Sequence, residues 1–157
     1  MLFNNALFGI RRQGGKSFFE GIPENELGTS TQSFWLSTAR CLYRGPNNRR
    51  CAVGWNLYDY EYDPDMEEML LRDVLPKRLI PYLQFLRRLQ VIHDKAGYVN
   101  DILKNGCLRM TSSSDEIFLQ QFEKGMKSFA QEHNLRYAPP TSSEIIEVRE
   151  EAYETCL

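Results

Sequence analysis

The segment that most constrains the fold is Pro81–Gly97, PYLQFLRRLQVIHDKAG. Tyr82, Phe85, Leu86, Leu89 and Ile92 recur every three or four residues, and Arg87, Arg88 and Lys95 fall outside that stripe. The period is helical, and an apolar stripe on a helix has to be covered by other apolar side chains. Proline suits the first turn of a helix and glycine its end, so a helix is expected over 81–96.

Other segments supply the cover. Ser113 to Glu116 has the form of a capping box, and it opens a second helix over 115–134 with Phe118, Phe122, Met126 and Phe129 on one face. Phe3, Ala6, Leu7 and Ile10 predict a helix over 3–13 that Gly14-Gly15 stops. Asp65, Glu67 and Glu68 suit a helix N-terminus, and Met66, Met69, Leu70 and Val74 give the next element apolar positions, so a helix is expected over 66–75 before Pro76. Residues 97–113 read as a connection with a helical turn around Val99 to Leu103. Pro139-Pro140 breaks the chain, and Thr141 with Glu144 forms another capping box before a short acidic helix carrying Ile145, Val148 and Ala152.

Residues 20–33 are rich in Gly, Pro, Glu, Ser and Thr and read as an exposed loop, after which Phe34, Trp35 and Leu36 return to the core. Cys41-Leu42-Tyr43-Arg44 and Arg50-Cys51-Ala52-Val53 flank Gly45-Pro46-Asn47-Asn48. Proline presets a turn and asparagine tolerates left-handed backbone, so a small hairpin is expected near 41–53, with Cys41 and Cys51 close across it. The expected fold is mainly α with a small β-hairpin (α+β). A compact single domain over 1–138 is followed by an acidic C-terminal helical segment, 139–157. A chain of 157 residues, 42% hydrophobic and 25% charged, is long and apolar enough for a real core.

The net charge of −2 gives no global bias toward nucleic acid or membrane, but the charges come in blocks. Arg40, Arg44, Arg49 and Arg50 form a basic cluster, and Asp59, Glu61, Asp63, Asp65, Glu67 and Glu68 follow without a base among them. Two readings compete: the blocks neutralise one another on the folded surface, or they leave a bipolar surface that steers a charged partner. With Tyr43 and Trp55 nearby, the four arginines are also the candidate nucleic-acid contact. In MLFNNALFGIRRQGG the arginines follow the apolar run, the reverse of a secretion signal, and no stretch is long enough to span a bilayer. Four cysteines are too few and irregular for a disulfide scaffold, so a reducing cytoplasm is expected.

Catalytic and cofactor motifs are weak. Zinc needs several thiolates or imidazoles at compatible positions; Cys41, Cys51, His93 and Cys107 are the only sensible set, and no metal or cofactor is expected. Asp59, Asp63 and Asp65 lack the glycine of a calcium loop and are interrupted by Pro64. Gly14-Gly15-Lys16-Ser17 lacks the earlier glycine of a phosphate-binding loop. His93-Asp94 and Glu132-His133 pair an acid with a histidine, but adjacent residues on a helix point apart, so neither reads as a dyad.

The run C-L-Y-R-G-P-N-N-R-R-C-A-V-G, followed by Y-D-P-D-M-E, resembles a family of small, uncharacterised proteins of bacteriophages and bacterial genomes. That family's pattern is C-x-Y-R-G-P-x-G-x-x-C-A-x-G, a short acidic link, then Y-x-P-x-M-E-G. Arg12-Gln13-Gly14 before Lys16-Ser17 is similar to the end of its opening helix, Leu89 with His93-Asp94 to its L-Q-x-x-H-D, and Phe129 to Leu135 to its F-A-x-x-H-x-L. The chain departs at Asn48 and Glu68, where the pattern has glycine, and at Trp55 to Tyr58, where an Ile-Pro-Asp type link is usual. It also has extra residues around 97–113 and an acidic tail after 139. The resemblance implies an origin and carries no activity with it.

These features lead to an expected accessory protein of phage type, non-catalytic, that binds and occludes a host or defence protein in the host cytoplasm. Its contact strip is Tyr58, Asp59, Tyr60, Glu61, Tyr62, Asp63 and Asp65, where alternation along an extended segment would put aromatics on one face and acids on the other. The alternatives are a virion or assembly protein that repeats in an oligomer, a nucleic-acid-binding protein using Arg40, Arg44, Arg49 and Arg50, and a small enzyme with a site around His93 and Asp94.

Overall fold

The computed structural model describes residues 1–19, 40–102 and 108–140. The loop expected over 20–33, the return at 34–36, Cys107, Cys156 and the helix expected after Thr141 lie outside them. The described residues form a compact, mainly helical domain built on three long helices. Helix α1 is Leu2–Gln13, and it ends at Gly14, whose left-handed backbone (φ 70°) lets its amide reach the carbonyls of Ile10 and Arg11. A four-residue helix, α2, is Leu71–Val74; α3 is Leu83–Ala96 and α4 is Asp115–Glu132. Short 3₁₀ turns at Pro46–Asn48, Gly54–Asn56, Asp59–Glu61, Pro64–Glu68 and Ile80–Tyr82 punctuate the described chain between α1 and α3.

Helices α3 and α4 run antiparallel, because Phe85 meets Phe129 and His133 at one end and His93 meets Phe118 and Phe122 at the other. Gly125 lets them approach, since a Cβ there would lie 2.5 Å from Ile92 Cγ2. Helix α1 lies along the same core: Phe3 stacks on Phe129 with ring centres 6.1 Å apart, and Arg11 bonds Glu123. Leu7, Ile10, Leu79, Leu86, Leu89, Phe118, Phe122 and Met126 are fully buried. Each such side chain contributes roughly 1.5–3 kcal/mol relative to exposure, which makes this cluster the main support of the fold.

Three expected elements are corrected. The 66–75 helix is divided into a 3₁₀ turn and α2 by extended backbone at Met69 and Leu70. The 97–113 connection is a two-stranded antiparallel sheet, β3 (Tyr98–Ile102) against β4 (Leu108–Ser112), in the register Tyr98↔Ser112 to Ile102↔Leu108. The cap of α4 is Ser114, whose Oγ accepts from the Ile117 amide, while Ser113 is buried with its Oγ donating to the Ala96 carbonyl.

No regular hairpin spans 41–53; its ladder is reduced to one bridge, Arg44↔Arg50. Cys41 instead belongs to β2 (Arg40–Cys41), paired antiparallel with β1 (Phe18–Phe19). Ser17 accounts for the difference. Its carbonyl accepts from the Leu42 amide, and its buried Oγ takes the Gly45 amide at 2.9 Å and faces the carbonyls of Leu42 and Arg49. Asn47 and Asn48 both take left-handed backbone, the role expected of asparagine here.

Candidate functional site

Two places in the fold gather chemistry. The first is the acidic, tyrosine-rich turn. Tyr58 to Asp65 is not the extended strip that alternation suggested, because 3₁₀ turns at Asp59–Glu61 and Pro64–Glu68 fold it back. Tyr58 and Tyr60 therefore lie together, ring centres 5.5 Å apart and stacked, at 49% and 82% exposure. Tyr62 turns toward the core, where it packs beneath the Arg44 guanidinium (4.7 Å) and donates its hydroxyl to Glu67 at 2.9 Å. Burial and that carboxylate push the Tyr62 phenol up to about 12.

The acids of the turn mostly have partners in the fold. Asp59 accepts from Arg44 (2.6 Å) and Arg50 (3.0 Å), and the Arg44 hydrogen bond holds its carboxyl below the ordinary range. Glu61 takes two bonds from Arg78 and one from the Tyr58 amide, and the Arg78 bonds lower it likewise. Arg78 also lies over the Tyr58 ring at 4.0 Å, fixing that side chain from above. Asp63 accepts from the Asp65 amide, and both residues stay exposed. Arg49 is bonded to Asp115 at 2.8 Å. Arg44, Arg49 and Arg50 are thus committed inside the fold, and the side chain of Arg40 lies outside the described residues. The mutual neutralisation of neighbouring blocks is what these pairs display.

Glu67, read from the sequence as part of the acidic block, a helix start and the Y-D-P-D-M-E run, has a structural part that those readings did not assign. Its carboxylate accepts the amides of Tyr43 (2.8 Å) and Arg44 (2.9 Å) besides the Tyr62 hydroxyl. It therefore ties the C-x-Y-R run to the Y-x-P-x-M-E run. Gln13 acts similarly on the other side, accepting from the Arg50 amide and the Trp55 indole.

The second place is buried under β2. Cys41 Sγ lies 3.4 Å from His93 Nδ1, which lies 3.3 Å from Asp94 Oδ1. Gln90 donates to both Cys41 Sγ (2.9 Å) and Asp94 Oδ1 (2.7 Å), and its own carbonyl accepts from the Val53 amide. The Cys51 thiol is buried nearby and accepts from the Gly54 amide at 3.4 Å. His93 and Cys51 are fully buried, and the His93 ring is enclosed by Phe18, Phe118 and Phe122, with no polar partner at Nε2 among the described residues.

His93 and Asp94 thus converge although they are helix neighbours, which corrects the expectation that they point apart. Gln90, one turn earlier on α3, holds the carboxylate toward the imidazole. Burial, then Cys51 and Asp94, raise the Cys41 thiol well above its ordinary value, so it stays protonated at neutral pH. A nucleophilic cysteine needs the opposite shift, and Asp94 sits at the same ring nitrogen as the thiol rather than across the ring from it. The cluster is not arranged as a catalytic dyad.

Among the described residues no helix is long and apolar enough to cross a membrane. Protein-family models, curated proteins and solved structures were each compared with the chain, and none matches it.

Proposed function

We propose that this chain is a non-catalytic binding protein of phage type that covers a surface of a host or defence protein in the host cytoplasm. The Tyr58–Tyr60 pair is the centre of the contact, with Asp63 and Asp65 on its rim. The supporting observation is that two stacked tyrosines face solvent on a turn whose geometry is fixed by Arg78, Glu61 and Asp59. Tyrosine is a frequent energetic anchor of interfaces, and a side chain already held in place loses little freedom on binding. The pairing of Asp59 and Glu61 within the fold leaves the aromatic surface, rather than the acids, to carry affinity.

The reading is tested by affinity capture from lysate of the natural host, with a photo-crosslinking residue at position 60 to identify the contact. Substituting Tyr58→Ala and Tyr60→Ala together should reduce recovery of the crosslinked partner at least about tenfold, the scale of an interface anchor. Equal recovery by a folded double variant refutes it.

A further inference from the structure

We propose that Cys41, His93 and Asp94 form a site for a single zinc ion that staples β2 to α3. Three electron-rich atoms of different residues converge here: Cys41 Sγ, His93 Nδ1 and Asp94 Oδ1 all lie within 4.8 Å of one another. Tetrahedral zinc sits about 2.3 Å from sulfur and about 2.0–2.1 Å from nitrogen or oxygen, which sets ligand-to-ligand separations of roughly 3.3–3.6 Å. The observed separations are 3.4 Å for sulfur to nitrogen and 3.3 Å for nitrogen to oxygen.

The polar bookkeeping of the cluster points the same way. His93 Nδ1 has a thiol sulfur and a carboxylate oxygen on the same side, and a further acceptor for the thiol proton, the Leu42 carbonyl, lies at a long 3.8 Å. Gln90 holds the sulfur and the oxygen from a single amide nitrogen, which orients the two toward a common point as outer partners of metal ligands do. Binding releases the Cys41 thiol proton, and the thiolate and carboxylate meet a dication instead of one another. His93 is fully buried while Cys41 and Asp94 are partly exposed, so three protein ligands leave the fourth position of the tetrahedron to water.

The test uses the full chain, purified with a non-thiol reductant and incubated with zinc sulfate. Native mass spectrometry should give one zinc per chain, and cobalt in its place should give thiolate-to-cobalt charge-transfer absorption. Zinc at a hundredfold excess over its Kd should raise the melting midpoint by about 5–10 °C. His93→Ala and Cys41→Ser should abolish stoichiometric binding. Asp94 is 40% exposed and its replacement spares the core, so Asp94→Asn keeps the fold while weakening zinc at least about tenfold. A folded chain that takes up no stoichiometric zinc overturns the proposal. So does zinc that stays bound with unchanged affinity in Asp94→Asn and His93→Ala. A chain lighter by two hydrogen atoms, with Cys41 and Cys51 joined as a disulfide and no affinity for zinc after reduction, overturns it as well.

Discussion

Replacing Gly9 by alanine sets two known effects against each other. Gly9 lies buried in the interior of α1, where intrinsic propensity favours alanine by about 0.8–1 kcal/mol. A Cβ at this position would lie 2.2 Å from Cδ2 of Trp55 and 2.5 Å from Cε2 and Cγ. Carbon atoms in contact prefer about 3.5–4.0 Å, so the indole has to move by more than an ångström. It is pinned by a 2.9 Å bond from its nitrogen to Gln13 and by the Arg50 guanidinium 5.3 Å from the ring centre. Losing the first costs about 0.5–1.5 kcal/mol and losing the second about 0.5–1 kcal/mol. Overpacking adds about 1–3 kcal/mol. The steric side therefore wins, and Gly9→Ala should destabilise by about 2 kcal/mol. For a chain of this size that lowers the melting midpoint by about 4–8 °C, measurable by calorimetry or urea titration. In a Trp55→Leu background the same change should cost much less, because the clash has gone. A Gly9→Ala variant as stable as the parent, or more so, would show that Trp55 does not pack on α1 as described.

The Arg11–Glu123 pair gives a second expectation. Arg11 is 7% exposed, bonded twice to Glu123 and once to the Ala138 carbonyl, so Glu123→Ala leaves a buried cation and should cost about 3 kcal/mol by urea titration. Glu132→Ala, which removes a solvent-exposed pair with Arg88, should leave the midpoint unchanged. Alkaline pH gives a third. The Tyr62 phenol is raised to about 12 in the folded chain, against about 10 when unfolded, so the unfolded chain ionises first. Stability is then complete below pH 10 and lost as pH rises from about 10 to 12, and Tyr62→Phe should flatten that decline. A profile identical in the variant would assign the loss elsewhere.

The long helices were legible because their apolar faces repeat over several turns, as Leu86, Leu89, Phe118, Phe122 and Met126 do. Gly14 was legible for a local reason, its left-handed backbone, whereas Gly97 ends α3 for a tertiary one. Its backbone is ordinary, but a Cβ would lie 2.0 Å from the Phe18 ring. The 41–53 segment misled because its turn residues are sound while its pairing is decided by Ser17 and Phe18, far back in the chain. Leu108-Arg109-Met110-Thr111-Ser112 does alternate in the manner of a strand, a signal outweighed by the polar residues of its partner. Of the contact strip, the tyrosines were legible as a group, but which two face solvent depended on 3₁₀ turns that short-range patterns do not specify. The buried cluster was half visible: Cys41, Cys51, His93 and Cys107 were the only sensible zinc set, with no metal expected, and Asp94 was noted only as the neighbour of His93, while its convergence with Cys41 and the part of Gln90 came from the geometry of α3.

The pairing of Phe18–Phe19 with Arg40–Cys41 has a consequence for how this chain can vary. Phe18 lies opposite Cys41 and Phe19 opposite Arg40, so two stretches distant in sequence are held side by side by a two-residue ladder. The Ser17 carbonyl and hydroxyl hold the same junction from behind. Closing a flexible segment costs only about 0.6 kcal/mol more for each doubling of its length. The closure of this junction is therefore nearly indifferent to how many residues separate Phe19 from Arg40, whereas a substitution at Ser17 acts on both arms at once.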